Sequence, residues 1–378
     1  MTSQEKKIRN VLIIGGGVGG LTLAIGLRAA GIGVEIVDLN PYPSGSGLGI
    51  GPSGLKLLDR FGVARKLVER GTSSDSIFYG DAAGNPLANL SYVAKSGNGL
   101  PSNVTLTREA LSDVLMKHAL SAGATMLEGH TVDAIEQFPD RIEATLSDGS
   151  TRSVDVLVGA DGTYSRVRGL VFGEHLKPAF AGQGIWRWLV PNTIGLKVGK
   201  TLKGETTKLG IFPLPENIIY AYVMLNLEQN EWMDDARTRT RVSEILKEYT
   251  DAEAIAAAPL LIDAESYVYR PLETLFLEGD WYRGRAVLIG DAAHAMTPHL
   301  ASGGVMAVED AIVLAEELAA AQGVEQAMKN FMKRRYERAK YIFDTSVRLC
   351  MIEQQDPTRA PNYQDIRGAA LKLLAEPV

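Results

Sequence analysis

The run Gly15-Gly16-Gly17-Val18-Gly19-Gly20 constrains this chain more than any other feature. It follows residues 10–14 (NVLII), which read as a short buried strand. It precedes residues 21–30 (LTLAIGLRAA), whose apolar positions recur at helical spacing up to Gly31. Residues 33–38 (GVEIVD) read as a second strand. Strand, helix and strand within about 30 residues make a βαβ unit. The glycines satisfy G-x-G-x-x-G: Gly15 permits the tight turn, Gly17 lets a pyrophosphate approach the backbone, and Gly20 lets helix and strand pack closely. The helix start beside Val18 turns free N–H groups toward phosphates. Asp38 ends the second strand, where a carboxylate accepts hydrogen bonds from ribose hydroxyls. These residues point to a dinucleotide site and leave NAD and FAD both open.

The length, 378 residues, is comfortable for two cores. The net charge of −6, without a basic block, argues against a nucleic-acid partner. No stretch approaches the roughly 18–20 apolar residues of a membrane helix, and the polar start MTSQEKKIRN lacks an apolar signal core. Cys350 is the only cysteine, so neither an internal disulfide nor a cysteine-based zinc site can form, and a reducing, cytoplasmic location is expected. The five histidines show no metal-binding spacing.

Farther along, a helix is expected over 55–69 and a hairpin over 76–92 with its turn at Asp81–Pro86. An amphipathic helix is expected over 108–122, and short strands over 125–158. Residues 180–225 read as aromatic strands broken by prolines, 237–258 as helical, 305–320 as a long helix and 325–352 as a helical tail. The expected fold is α/β: a Rossmann-like domain (1–75, 101–175 and 271–378, with C-terminal helices) interleaved with a smaller β-sheet substrate domain (76–100 and 176–270).

Two later motifs narrow the cofactor. Residues 155–168 (DVLVGADGTYSRVR) run an apolar strand into Asp161-Gly162. Residues 284–303 (GRAVLIGDAAHAMTPHLASG) run another into Gly290-Asp291. With the first motif, these resemble the fingerprints of the flavoprotein aromatic hydroxylases, the class A flavin monooxygenases that include para-hydroxybenzoate and salicylate hydroxylases. Nearly the whole chain takes part. Asp38-Leu39-Asn40-Pro41 resembles the family's acid-x-x-Pro, Trp186-Arg187 with Leu189-Val190-Pro191 its W-R-x-L-V-P strand, Phe212-Pro213-Leu214 its aromatic-Pro-Leu strand, and Tyr336-Glu337-Arg338 its usual ending. The resemblance implies that Asp291 binds the ribityl chain of a non-covalent FAD and that Asp161 holds the second motif near the diphosphate. It places Arg108 against that diphosphate, and Pro298 beside the flavin where oxygen reacts. Gly303 and Gly304 would bring a helix N-terminus to the flavin pyrimidine edge. A helix N-terminus stabilises the anion of reduced flavin, by up to about 2 kcal/mol when partly buried. Departures from the family are Ser302 where Gln is common, Ser53 where Asn is usual, no Arg between Pro41 and the following glycines, and Trp188 in place of a small residue. They bear on the contacts of the nicotinamide donor and on pocket shape.

The chemistry so implied is hydroxylation of an aromatic or N-heteroaromatic ring by O2 through a C4a-hydroperoxyflavin, with NADH or NADPH as a transient electron donor and a monomer or homodimer as the working unit. The family places substrate contacts at Lys208, Tyr220 and Tyr222; Arg187 and Phe212 join them as candidates, and Tyr220 and Tyr222 share one face of a strand. Tyrosines are also simply good strand formers. His299, beside Pro298, is a candidate for a proton role alongside Pro298 and Tyr220, with a loop histidine as the alternative. His294 reads as an anchor of its turn; His118, His130 and His175 read as structural. Trp186 and Trp188 also fit the W-x-W-x-V-P of flavin halogenases. An NAD-dependent dehydrogenase using the first motif alone and a non-oxygenating flavoprotein are the other readings.

Overall fold

The computed structural model describes residues 7–40, 46–91 (88–91 by backbone alone), 96–355 and 362–378. Pro41 of the acid-x-x-Pro run, and Tyr92 of the expected hairpin, fall outside the described residues.

The apolar run Asn10–Ile14 is the centre of a six-stranded sheet. It pairs in parallel with Gly33–Asp38 on one side and Val156–Gly159 on the other. Thr125–Glu128 extends the sheet beyond the former, and Ala286–Leu288 beyond the latter, both parallel. Parallel strands buried on both faces require near-continuous apolar sequence, and Val11 to Ile14, Val156 to Val158 and Ala286 to Leu288 are each almost fully buried. All three fingerprint motifs therefore leave the same carboxyl edge of one sheet: Gly15 after Ile14, Asp161 after the Val156–Gly159 strand, and Asp291 after the Ala286–Leu288 strand. That edge is where α/β sheets bind ligands.

A second, seven-stranded sheet holds Val268–Phe276, Ala179–Pro191, Ile218–Asn226, Thr207–Leu214, Lys200–Lys203, Ser76–Asp81 and Pro86–Ser91 in that order. The early hairpin thus joins strands more than 100 residues later through a parallel pairing with Lys200–Lys203. The Val268–Phe276 strand runs across the boundary expected at 270. Strand alternation divides this sheet into two different faces. Trp186, Trp188, Leu209, Ile211, Ala221 and Val223 share the back face and form a separate core under the helices Asp235–Leu246 and Ala252–Ile262. Arg187, Lys208, Phe212, Tyr220 and Tyr222 alternate with them and face the other way, as the pairings Arg187 to Tyr222 and Phe212 to Tyr220 require. The two tryptophans that suggested a halogenase are core residues, turned away from the face that carries Arg187.

Two expected helices are each split in the structure. Residues 55–69 form Pro52–Asp59 and Ala64–Arg70, because Gly62 takes a φ of +70° between them. Residues 237–258 form two helices, because Asp251 caps the second with its carboxylate on the Glu253 and Ala254 amides, each at 3.1 Å. The tail helix spans Val324–Gln355, and a further helix, Tyr363–Ala375, lies beyond the expected elements.

Trp186 is fully buried, packed in a tilted pair 4.9 Å from Tyr269, with its indole N–H toward Thr238 Oγ1 at 3.4 Å. Trp186→Ala should therefore cost about 3–5 kcal/mol of stability, read as a fall in the urea midpoint. An unchanged midpoint would show that the back-face core tolerates the cavity.

Candidate active site

The Gly290-Asp291 turn is fixed from behind by one buried carboxylate. Asp310 Oδ2 accepts the Gly290 amide at 2.8 Å and faces His294 Nε2 at 2.6 Å, while Oδ1 accepts from Arg335 Nε at 2.7 Å. Arg335, itself completely buried, also pairs with Glu309, and Glu309 takes Arg338 at 2.8 and 2.9 Å. Burial would raise the Asp310 carboxyl, but His294 and Arg335 outweigh it and hold it below the ordinary range. Here His294 ties the turn to the Gly303–Ala320 helix, and Arg335 ties that helix to Val324–Gln355.

The first loop is shaped by contact distances. Gly15 has a φ of +111°, and a Cβ there would run into the Ala160 carbonyl; a Cβ at Gly20 would run into the Gly15 carbonyl. At Gly17 the same test meets nothing within 4 Å, so the loop is packed behind and open in front. Asp38 accepts the Gly16 and Asn40 amides, the latter at 2.6 Å, and so braces the loop. Asp161 is turned inward: it accepts from the Ser165 hydroxyl and from the Arg166 and Val167 amides at 2.7 and 3.0 Å, holding the start of the next helix.

In front of these turns lies the cleft. The Asp291 carboxylate opens onto it with protein on its other sides; burial raises its carboxyl, against the pull of His294, Arg108 and a hydrogen bond from Thr163. Arg108 begins the Arg108–Ser121 helix, which Thr107 caps at the Ala110 amide, 3.0 Å away. Its charge acts on Asp291, Arg187 and Tyr220 alike. Arg187 is half-buried beside Tyr220 and has no carboxylate partner among the described residues; desolvation lowers its guanidinium from the ordinary value, and Arg108 and Arg270 add repulsion. The Tyr220, Phe212 and Tyr222 rings stand 6.1–6.2 Å apart as one aromatic patch.

FAD fits what surrounds this cleft. The Val18–Ala29 and Gly303–Ala320 helices both begin there without a side-chain cap and without an acidic residue in the first turn. A Cβ at Gly304 meets nothing within 4 Å, and one at Gly303 comes no closer than 3.9 Å to Asp291 Oδ1. Uncapped N–H groups, bare glycine surfaces, Arg108 and a carboxylate suited to polyol hydroxyls are what an adenine–diphosphate–ribityl chain needs. Gly15, Gly17, Val18, Gly20, Asp38, Arg108, Asp291, Gly303 and Gly304 are therefore the residues available to hold it, with Asp161 supporting them from behind.

The remaining candidates separate. Tyr222 is half-buried, its ring lies on Gly210, and its hydroxyl meets Thr201 Oγ1 at 3.3 Å, so it builds the wall. Lys208 does not stand free: its ammonium lies 2.6 and 2.7 Å from the Glu353 carboxylate. Pro298 opens a 3-10 turn, Pro298–Leu300, tied to the long helix by Thr297 and Ser346 at 2.6–3.0 Å. His299 in that turn is buried, with Nε2 3.1 Å from Glu353 Oε2. Sequence reasoning missed Asp310, Arg335, Thr163 and Glu353. Each acts across a long sequence separation, and no local spacing marks it.

Comparison with known proteins agrees with this geometry. The FAD binding domain family matches residues 9–346. The chain is 31% identical over 373 residues to the protein YetM of Bacillus subtilis (strain 168), covering 98% of this chain and 100% of that one. It is 30% identical to the aurachin C monooxygenase/isomerase of Stigmatella aurantiaca (91% and 89% covered), and 32% identical to the 2-heptyl-3-hydroxy-4(1H)-quinolone synthase of Pseudomonas aeruginosa strain PAO1 (88% and 86%). In fold it is similar to Klebsiella pneumoniae HpxO complexed with FAD and uric acid, with a TM-score of 0.85 at 22% identity over 98% of this chain and 97% of that one.

Asp310→Asn should leave Arg335 with an uncompensated buried charge and cost about 3–5 kcal/mol. Because the Asp310 carboxyl is depressed in the folded state, its contribution is present above the unfolded carboxylate value of about 3.9 and is lost as pH falls through the folded value. The variant should therefore lose stability at neutral pH and show a flatter acid limb than the parent. Asp291→Ala should instead keep the thermal midpoint of the FAD-free protein and lose FAD on gel filtration. Parental flavin retention in that variant would remove Asp291 from the cofactor site.

Proposed function

The chain belongs to the FAD binding domain family and is a flavin-dependent monooxygenase, and we propose that its substrate is a planar, electron-rich aromatic or N-heteroaromatic ring carrying an acidic group, a hydroxyl or a carboxylate. The observation that carries this reading is the cleft face of the second sheet, where Arg187 lacks a carboxylate partner among the described residues and stands beside Tyr220 and the aromatic patch. Arg187 is half-buried; a cation drawn partly out of water without a counter-ion is costly, and an anionic ligand relieves that cost. Several relatives act on compounds of this kind by name: a quinolone, 3-hydroxybenzoate and urate.

When bound, FAD reduced by NADH or NADPH supplies the oxygen chemistry that no side chain can perform. The chain's residues do the rest. Arg187 and Tyr220 orient the ring through its acidic group, and Phe212 with Tyr222 gives it a flat wall. The uncapped Gly303–Ala320 helix sets a positive partial charge at the opposite side of the cleft. The apolar and aromatic walls exclude water, which would otherwise divert the oxygen to hydrogen peroxide.

The purified protein should be yellow, and a panel of phenolic acids and hydroxylated N-heterocycles should sort by how fast NADH or NADPH bleaches the flavin absorbance. A true substrate should speed bleaching at least tenfold over donor alone, since about 1.4 kcal/mol of differential affinity between two arrangements gives a tenfold shift. For that substrate, Arg187→Met should raise KM about tenfold or more with FAD content unchanged. Tyr220→Phe should raise KM or lower kcat. A colourless protein that binds NAD tightly would overturn the reading; parental kinetics in both variants would move the substrate away from this face.

A further inference from the structure

The pairings of the second sheet set its front-face side chains in rows. Arg187, Tyr222, Gly210, Thr201 and Tyr79 stand opposite one another on five successive strands and form one row. Tyr220 and Phe212 belong to the row before it, Met224 and Lys208 to the row after it. Successive rows are two residues apart, about 7 Å along a strand. The ring site described above uses the first two rows. The third row borders a cavity of about 220 Å³, which also takes Tyr79, Gln183, Asn226, Glu353 and Tyr363 into its lining. Ring site and cavity thus share one face of one sheet. In the row between them Gly210 has no side chain, and the Tyr222 ring lies over its place.

The chemistry of the lining says what the cavity can hold. Its charges are matched. The Lys208 ammonium lies 2.6 and 2.7 Å from the Glu353 oxygens, and the Tyr363 hydroxyl donates to the same carboxylate at 2.6 Å. Lys203 and Glu205 add one charge of each sign. The Gln183 amide donates to Asn226 Oδ1 at 3.0 Å, and its own oxygen faces the Cys350 thiol at 3.3 Å. Two donors are left over. The Tyr79 hydroxyl and the Asn226 amide nitrogen donate to nothing among the described residues. Tyr79 is half-buried, and burial raises its hydroxyl above the ordinary value, so it keeps its proton at neutral pH. Spare donors call for an acceptor. A charged ligand group would lack a counter-ion here, because Lys208 and Glu353 already neutralise each other. A neutral carbonyl or ether oxygen meets both conditions, and Met224 offers apolar surface to the carbon chain that carries it.

Resting on the aromatic-substrate reading above, we propose that this cavity is the distal part of the substrate site and receives a neutral substituent of the ring, carried past Tyr222 on a short chain, whose carbonyl or ether oxygen accepts from Tyr79 and Asn226. The register sets the length. A ring against Phe212 and Tyr222 lies one row, about 7 Å, from Met224 and Lys208, so a chain of a few atoms bridges the gap. Tyr222 is the ridge between the two spaces: its face supports the ring and its edge sets the width of the passage. The cavity then sorts rings that the Arg187 face alone would accept equally.

The test uses the FAD-bound protein and a matched set of probes: a hydroxybenzoate, the same ring with a chain ending in acetamide, and the same ring with an all-carbon chain of equal length. Affinity is read from the change each makes in the oxidised flavin spectrum. The acetamide ring should bind about tenfold tighter than the bare ring, through one hydrogen-bonded contact and the apolar path to it. Tyr79→Phe should cut the acetamide-over-carbon preference about three- to tenfold, the effect of one hydrogen bond. Met224→Trp, which fills the cavity, should abolish the preference of either chain over the bare ring. An acetamide preference that is absent in the parent, or that survives both variants, would overturn the proposal. A further probe needs no ring: the 19F signal of N-propyltrifluoroacetamide should broaden with the parent protein and much less with Tyr79→Phe. Silence of every ring while this probe binds the parent in that way would count against the acidic-ring reading alone. Rings that bind without regard to their chains, with no response from the 19F probe, would count against the distal pocket alone.

Discussion

The Asp310 carboxylate is the constraint on which the site depends. It reaches the Gly290 amide, His294 and Arg335 at once, joining the Gly290–His294 turn to the distant helix that carries Arg335. Burying such a group is expensive unless every lone pair is used. Here the expense fixes one geometry. The Gly290-Asp291 turn cannot slide along the Gly303–Ala320 helix without breaking a charged contact in a dry interior. Asp291, which faces the cleft, is thereby aimed by a residue that never touches it.

The same economy of contacts runs through the rest of the cleft. The glycine loop is packed against Ala160 behind and bare in front, and Thr107 starts the helix that presents Arg108. The second sheet closes the space with a face opposite in character to its back. The tryptophan-rich back is a hydrophobic core that holds the sheet rigid, so Arg187 and Tyr220 on the front are mounted on a fixed plate rather than on loops. A rigid mount is what a reaction needs when the ring must lie within a fraction of an ångström of its target position.

Much of this was legible in the sequence, for a physical reason. Tight turns at the carboxyl edge of a parallel sheet need glycines and acids at fixed intervals, so Gly15 to Gly20, Asp161 and Asp291 announced themselves, and strand alternation put Tyr220 and Tyr222 on one face. Local pattern failed where a short signal competed with a longer one. Gly62 separates two helices and Asp251 caps the start of another, each inside a stretch that read as one continuous helix. It also had no access to pairings made only by folding: Asp310 with His294 is 16 residues away, Arg335 with Asp310 is 25, and Lys208 with Glu353 is 145. Lys208 read as a free substrate contact because its partner lies on the last turns of a distant helix. The family resemblance supplied the chemistry that spacing alone left open between NAD and FAD.

The central claim is that this cleft holds FAD and an acidic aromatic ring together so that one atom of O2 reaches the ring. Incubation of the yellow protein with NADH or NADPH, a panel substrate and 18O2, followed by mass spectrometry of the product, tests it most directly. The account predicts one labelled oxygen per hydroxylated product, with little hydrogen peroxide. Product oxygen drawn from water, or consumption of O2 that appears entirely as hydrogen peroxide with every ring tested, would contradict it.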